Sequence, residues 1–369
     1  MKNIVRLTTA IGISCITMLA QAQKQVPQNV MQQVYEEIKT PHKYGMVLVP
    51  EDDSKKLDCP SVFRKDGKWY MTYITFDGRG YETYLAKSDD LLNWTKLGKL
   101  MSFDNDTTKW DASQRAGYIA LQDHKWGGSY KWQKYDRKHW MSYFGGNASG
   151  YEAGLLSLGM AYTKKDPTKP HEWNRLPAPI LTSNDKDVRW WENKKQFKST
   201  IIRDKNKTTG YPFVMYYNAN GDTAANNLKT RWYERIGMAV SNDMVNWKRF
   251  NAEPVVHHKM GITGDPYIQK INDVWVMFYF GAFWEGRKDA FNRFACSYDL
   301  VNWTDWNGAD LINSTEEYDS KFAHKSYVVK HNGVVYHFYN AVNKKDQRGI
   351  AVATSKDLGK SELQFNSKQ

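Results

Sequence analysis

Apolar and polar positions along the chain alternate over short runs punctuated by tight turns, which is the period of β-strands. Leu57 to Tyr73, LDCPSVFRKDGKWYMTY, shows the pattern in full. A short apolar strand, Ser61 to Phe63, leads into the turn Lys65-Asp66-Gly67 and a second strand, Trp69 to Tyr73. Two strands across an Asp-Gly turn predict a hairpin. The same hairpin recurs at 129–146, 199–218, 265–281 and 324–340. Behind it comes a strand with a small residue at a fixed offset, then a turn: SDDLLNW at 88–94, SNDMVNW at 241–247 and SYDLVNW at 297–303. A looser copy ends at Trp173, and GIAVATSKDL at 349–358 lacks the Trp. The Asp suits the turn, and the Trp is expected to pack over it into the gap between neighbouring sheets.

Each unit therefore predicts four strands, with segments such as AEPVV (252–256) as the last. Five such units repeated radially predict an all-β chain folded as a five-bladed β-propeller. The fifth unit runs out at Leu358 without its last strand, while YGMVLVP (44–50) resembles the missing piece. That N-terminal strand is expected to complete the last blade and cover an exposed edge. Residues 23–43 read as a weakly helical lead-in and 44–369 as one propeller domain, since no linker divides them.

The N-terminus adds a compartment. Lys2 and Arg6, an apolar stretch and Ala20-Gln21-Ala22 read as a signal peptide over residues 1–22. Secretion or periplasmic location after cleavage near Ala22 is expected, with no membrane span. Beyond it only Cys59 and Cys296 remain, too few for a disulfide framework and expected as buried free thiols. No CxxC or HExxH pattern offers a zinc site. The net charge of +12 is spread along the chain, without the basic stripe or module that nucleic-acid binding would show. It fits an anionic polymer or simply a basic surface. The 15 Trp and 23 Tyr suit a propeller core as well as sugar stacking.

In a propeller the inner strands line a central channel, so the residues heading them carry the chemistry. Those are Asp58, the stretch Asp123-His124-Lys125-Trp126, Glu192, Asp265, and His324 with Lys325. Asp58, Glu192 and Asp265 give three carboxyl groups facing one funnel. Glycosidic hydrolysis needs such a set: an acid for the leaving oxygen and a carboxylate that activates water or attacks carbon. Asp123, Trp126, Trp191, His324 and Lys325 are the expected substrate contacts, with Trp190 a further platform. Glu82, Glu152 and Glu234 are rival acids, placed alike before the third strand of units one to three. Their recurrence suggests a structural role, with one free to reach the channel. Glu285 in FWEGR is another candidate acid.

The D-x-P-S-V-F-x-x-D-G-K-W-Y opening, the S-x-D-x-x-N-W turns and HKSYVVKHNGVVYHFY together resemble the five-bladed propeller glycosidases, particularly glycoside hydrolase family 43, over residues 44–358. The resemblance implies a general base at Asp58 and roles for Asp265, Glu192 and His324 as tuning Asp, acid and channel His. It implies an exo-acting, inverting glycosidase that acts as a monomer on a carbohydrate and requires no cofactor, and it allows a structural calcium near the central channel. Two departures point to a divergent branch. Asp-Cys-Pro replaces the usual Asp-Pro, and blade three offers Glu where the family has Asp, with the reverse in blade four. A propeller phosphorylase would need a cationic pocket, for instance Lys325 with Arg189. A non-catalytic sugar-binding propeller would use the same mouth without releasing product.

Overall fold

The computed structural model describes residues 25–221 and 233–366; the leader read over 1–22, with its cleavage point near Ala22, lies outside them. Helix α1 (Gln28–Ile38) buries Met31, Val34 and Ile38 along one face. Strand β1 (His42–Leu48) follows it. The first unit is β2 (Lys56–Lys65), β3 (Lys68–Phe76), β4 (Tyr81–Ser88) and β5 (Trp94–Met101), paired in chain order as an antiparallel sheet. Then come β6 (Gln114–Ala120), β7 (His139–Gly146), β8 (Ser157–Thr163) and β9 (Asn174–Arg175). The third set is β10 (Lys195–Arg203), β11 (Phe213–Asn220), β12 (Tyr233–Ser241) and β13 (Trp247–Arg249). The fourth is β14 (Gly261–Ile271), β15 (Val274–Ala282), β16 (Ala290–Ser297) and β17 (Thr304–Asp305). The last is β18 (Phe322–His331), β19 (Val334–Val342) and β20 (Arg348–Thr354).

Within every set the strands pair antiparallel with their sequence neighbours. Between sets the contacts are sparse and parallel: Ile201 against Ala120, and Tyr233 and Glu234 against Gly261 and Ile262. Strand β1 pairs antiparallel with β20, from His42 opposite Thr354 to Leu48 opposite Ile350, so the N-terminal strand shares a sheet with the C-terminal unit.

The three full S-x-D-x-x-N-W turns have one geometry. In SNDMVNW, Ser241 Oγ accepts from the Met244 amide, and Asp243 Oδ1 accepts from the amides of Val245 and Asn246. Met244 takes a positive φ of 65°, and Trp247 Nε1 donates to its carbonyl. Leu91 and Leu300 repeat the positive φ, and Trp94 and Trp303 the indole bond. Two of the indoles then reach into another unit: Trp94 meets Phe338 of the last unit edge-on at 5.9 Å, and Trp303 meets Tyr216 of the third at 5.4 Å. Small residues on the third strands make room for large ones. A Cβ on Gly237 would lie 2.1 Å from the Trp191 ring.

Two expectations about strands are corrected. The inner strand of the second unit is β6, not a strand beginning near Ser129, because residues 121–138 form a long connection in which Asp123 caps the amides of Lys125 and Ser129. The outer strand of the third unit is Trp247–Arg249; Val256 in the expected strand at 252–256 makes only an isolated bridge to Ile236.

Candidate active site

The starts of the first and third strands of each unit point to the same side, and a cavity of about 370 Å³ opens there. Its wall includes Tyr118, Glu152, Lys198, Glu234, Asp265, His324, Lys325 and Arg348, with Phe280, Phe283 and Phe322 on one flank.

Strand irregularities aim several of these groups. In β2 the register slips between Asp58 and Ser61, in β14 between Gly264 and Tyr267, and in β18 between His324 and Tyr327. Cys59, Asp265 and Lys325 take positive φ at the first residue inside each slip. Such β-bulges re-aim side chains at functional sites. They also align Asp265 and Lys325 with Cys59, so Asp58 stands one residue earlier than its expected counterparts. In β10 the slip falls between Gln196 and Ser199 and carries Phe197 and Lys198 to the cavity.

Asp58 is fully buried and lies behind the cavity wall rather than on it. Its Oδ2 accepts from Arg348 Nη1 at 2.6 Å and from Lys325 Nζ at 3.1 Å. Lys325 also lies 4.0 Å from Asp265. Burial opposes the Asp58 charge, but Lys325 and Arg348 outweigh it and hold the carboxyl well below the usual range. The Cys59 thiol sits 3.4 Å from Asp265 Oδ2, and burial pushes it far up, so it stays protonated. Burial and the neighbouring Lys325 push His324 down to about 3, leaving a neutral imidazole. Among the described residues no group of three or more His, Cys, Asp or Glu could hold a metal ion. At Asp58 the oxygens a calcium would take are already engaged, Oδ2 by Lys325 and Arg348 and Oδ1 by the Cys59 amide.

Glu234 and Glu152 behave differently from Asp58. Glu234 opens β12, accepts from Asn218 Nδ2 at 2.7 Å, and faces the cavity. Burial, reinforced by the nearby carboxylates of Glu152 and Asp265, pushes it up to about 8, so it carries a proton at neutral pH. Glu152 lies in the loop before β8 with a positive φ of 47°. Burial raises its pKa too, while Lys325 and Arg348 pull toward the ionised form. Two neighbouring carboxyl groups with unlike surroundings are the usual makings of an acid and a base.

Of the sequence-predicted residues, the structure gathers Asp265, His324 and Lys325 on the cavity, with Asp58 behind it. Glu192 is elsewhere: fully buried, it accepts from Arg249 Nε at 2.6 Å and Tyr217 hydroxyl at 2.7 Å, tying the loop ahead of β10 to β13. Trp191 is buried with its indole donating to the Ala252 carbonyl, and Arg189 bonds the Asn251 carbonyl. Asp123 and Trp126 follow the far end of β6, where Trp126 donates to Glu37 of α1. His124 binds the Ile268 carbonyl there. Each follows from the second unit starting at β6. Glu82 pairs with Lys99 at 2.7 Å off the cavity, and Glu285 is exposed on a turn. Sequence reasoning passed over Lys198 and Arg348. Arg348 could have been found, since it opens the third strand of its unit as Glu82 and Glu234 open theirs.

An all-β scaffold with paired acids in a cavity at the strand starts defines a carbohydrate-cleaving class. A structure of BT0996 described as an RGII complex is 53% identical, covers 94% of this chain and 100% of its own, and superposes with a TM-score of 0.89. A second structure, described as a glycoside hydrolase, is 52% identical with the same coverage and TM-score. The chain belongs to the glycoside hydrolases. A thermostable family-43 glycoside hydrolase, 15% identical over 87% of this chain and 97% of its own with a TM-score of 0.57, shares the fold. No protein-family model and no curated protein matches the chain.

Proposed function

We propose that the protein is an exported, exo-acting glycosidase on a closed five-bladed propeller, with Glu234 as general acid and Glu152 as the second catalytic carboxyl group. The observation that carries this reading is the pair itself: two carboxyl groups line one cavity, Glu234 pushed up to about 8 by burial and nearby carboxylates, and Glu152 raised by burial against the opposing pull of Lys325 and Arg348. Glu234 would protonate the glycosidic oxygen as the bond breaks. Glu152 would activate water on the opposite face; inversion at the anomeric carbon is taken from the family-43 resemblance. Asp58, the base expected from the sequence, is in this reading a positioning residue, since it is fully buried with Oδ2 held by both cations and Oδ1 by the Cys59 amide. Asp265 and His324 line the sugar site.

A cavity of about 370 Å³ with Lys325 and Arg348 in its wall favours a terminal sugar over a polymer threading through. A relative of this identity is described as an RGII complex, which favours that carbohydrate as the source of the substrate. Export rests on the N-terminal leader, and a monomer is the expected state.

The test is a panel of oligosaccharides with products followed by NMR, then Glu234→Gln and Glu152→Gln on the cleaved substrate. Each variant should lose roughly 10²- to 10⁴-fold in kcat, and the first anomer released should be inverted. Full turnover by either variant overturns the assignment of that residue. Binding without release of any product returns the chain to the sugar-binding reading.

A further inference from the structure

Three cations reach the cavity from buried positions, and two are matched. Lys325 is shared between Asp58 and Asp265, and Arg348 is held by Asp58 and the Tyr151 hydroxyl at 3.2 Å. Lys198 is not matched. It lines the cavity, the residue is 3% exposed, and its Nζ has no hydrogen-bond partner among the described residues. The centre of the Tyr118 ring lies 5.8 Å from that nitrogen. A cation over an aromatic face recovers only a small part of what an unpaired buried charge costs.

The Lys198 position is set by the register slip in β10, whose Ser199 and Thr200 pair regularly with β11. The backbone thus fixes where the side chain starts, and its burial and the Tyr118 ring confine its course along the cavity wall. A hydroxyl group would satisfy one of its N–H bonds. A carboxylate would satisfy its charge and accept a charge-assisted hydrogen bond, which is about twice as strong. The remaining wall does not forbid an anion, since Asp265 and Glu152 are offset by Lys325 and Arg348, and Glu234 is protonated at neutral pH.

We propose that Lys198 is a specificity-determining residue that pairs with a carboxylate on the bound sugar, so the substrate class is an acidic saccharide. This rests on the reading that the cavity binds the substrate. It is tested by binding alone, so that its failure is separable from failure of the acid–base assignment. Isothermal titration calorimetry of the full chain uses two matched pairs: D-galacturonate against D-galactose, and D-glucuronate against D-glucose. At low salt at least one acid should bind about tenfold or more tighter than its neutral partner, and Lys198→Met should bring the pair to parity. Lys198→Met should also melt no lower than the parent, whereas a structural lysine would lower the melting temperature. Equal binding within both pairs, no binding by either acid, or a preference that survives Lys198→Met overturns the proposal. Glu234→Gln is titrated in parallel. Loss of turnover there with no acid preference in the parent removes the Lys198 role alone. Full turnover with the preference intact removes the acid assignment alone.

Discussion

In the proposed reading Asp58 organises the site from behind the cavity wall, without touching substrate. It collects Arg348 and Lys325, which open or line strands of the last unit, and so fixes two cations beside Glu152. Asp58→Asn removes the charge but leaves both cations in place. Breaking a buried pair in this way costs about 3–5 kcal/mol. The expected outcome is a large fall in the midpoint of denaturant unfolding, together with weakened catalysis through the displaced cations. If Asp58→Asn unfolds like the parent yet loses all turnover, Asp58 is itself the base. The neighbouring Cys59, buried at the same bulge, stays a thiol in either case.

At the scale of elements, the repeated turn and the glycine-lined strands hold neighbouring units together. Gly237 faces the Cη2 edge of Trp191, so Gly237→Ala must displace that ring from its place stacked on Tyr217 at 6.1 Å. Overpacking of this kind costs about 1–3 kcal/mol, readable as a lower melting temperature with little change in KM. Much at this scale was legible in the sequence. S-x-D-x-x-N-W set the turns because Ser and Asp accept from named backbone amides while the Asn side chain donates to the Asp carboxylate, and the 44–50 strand found β20 as a short apolar run. The second unit was not legible. Its polar connection at 121–138 carries aromatic residues and turn signals that imitate a strand, which moved the expected site to Asp123 and Trp126. Glu192 misled for a different reason. Sequence order placed it before an inner strand, but only the fold brings Arg249, 57 residues later, onto its carboxylate.

For the molecule as a whole, the site sets two opposed pH dependences. The folded-state pKa of Asp58 lies below its unfolded value, so its contribution to stability is complete above the ordinary carboxylate range and is lost as pH falls through it. Glu234 runs the other way. Its folded value of about 8 lies above the unfolded value of 4.5, so its contribution is complete below 4.5 and is lost as pH rises toward 8. Melting temperature should therefore peak in mildly acidic buffer, and Glu234→Gln should flatten the decline on the alkaline side of that peak. An unchanged decline in the variant would assign it to other groups. The same proton governs catalysis. The most direct test is kcat/KM against pH on a glycoside the protein cleaves, since this ratio reports the ionisations of the free enzyme. The account predicts an alkaline limb near pH 8 that disappears from the residual activity of Glu234→Gln. A profile that stays flat past that pH, or a limb that persists unchanged in the variant, would contradict it.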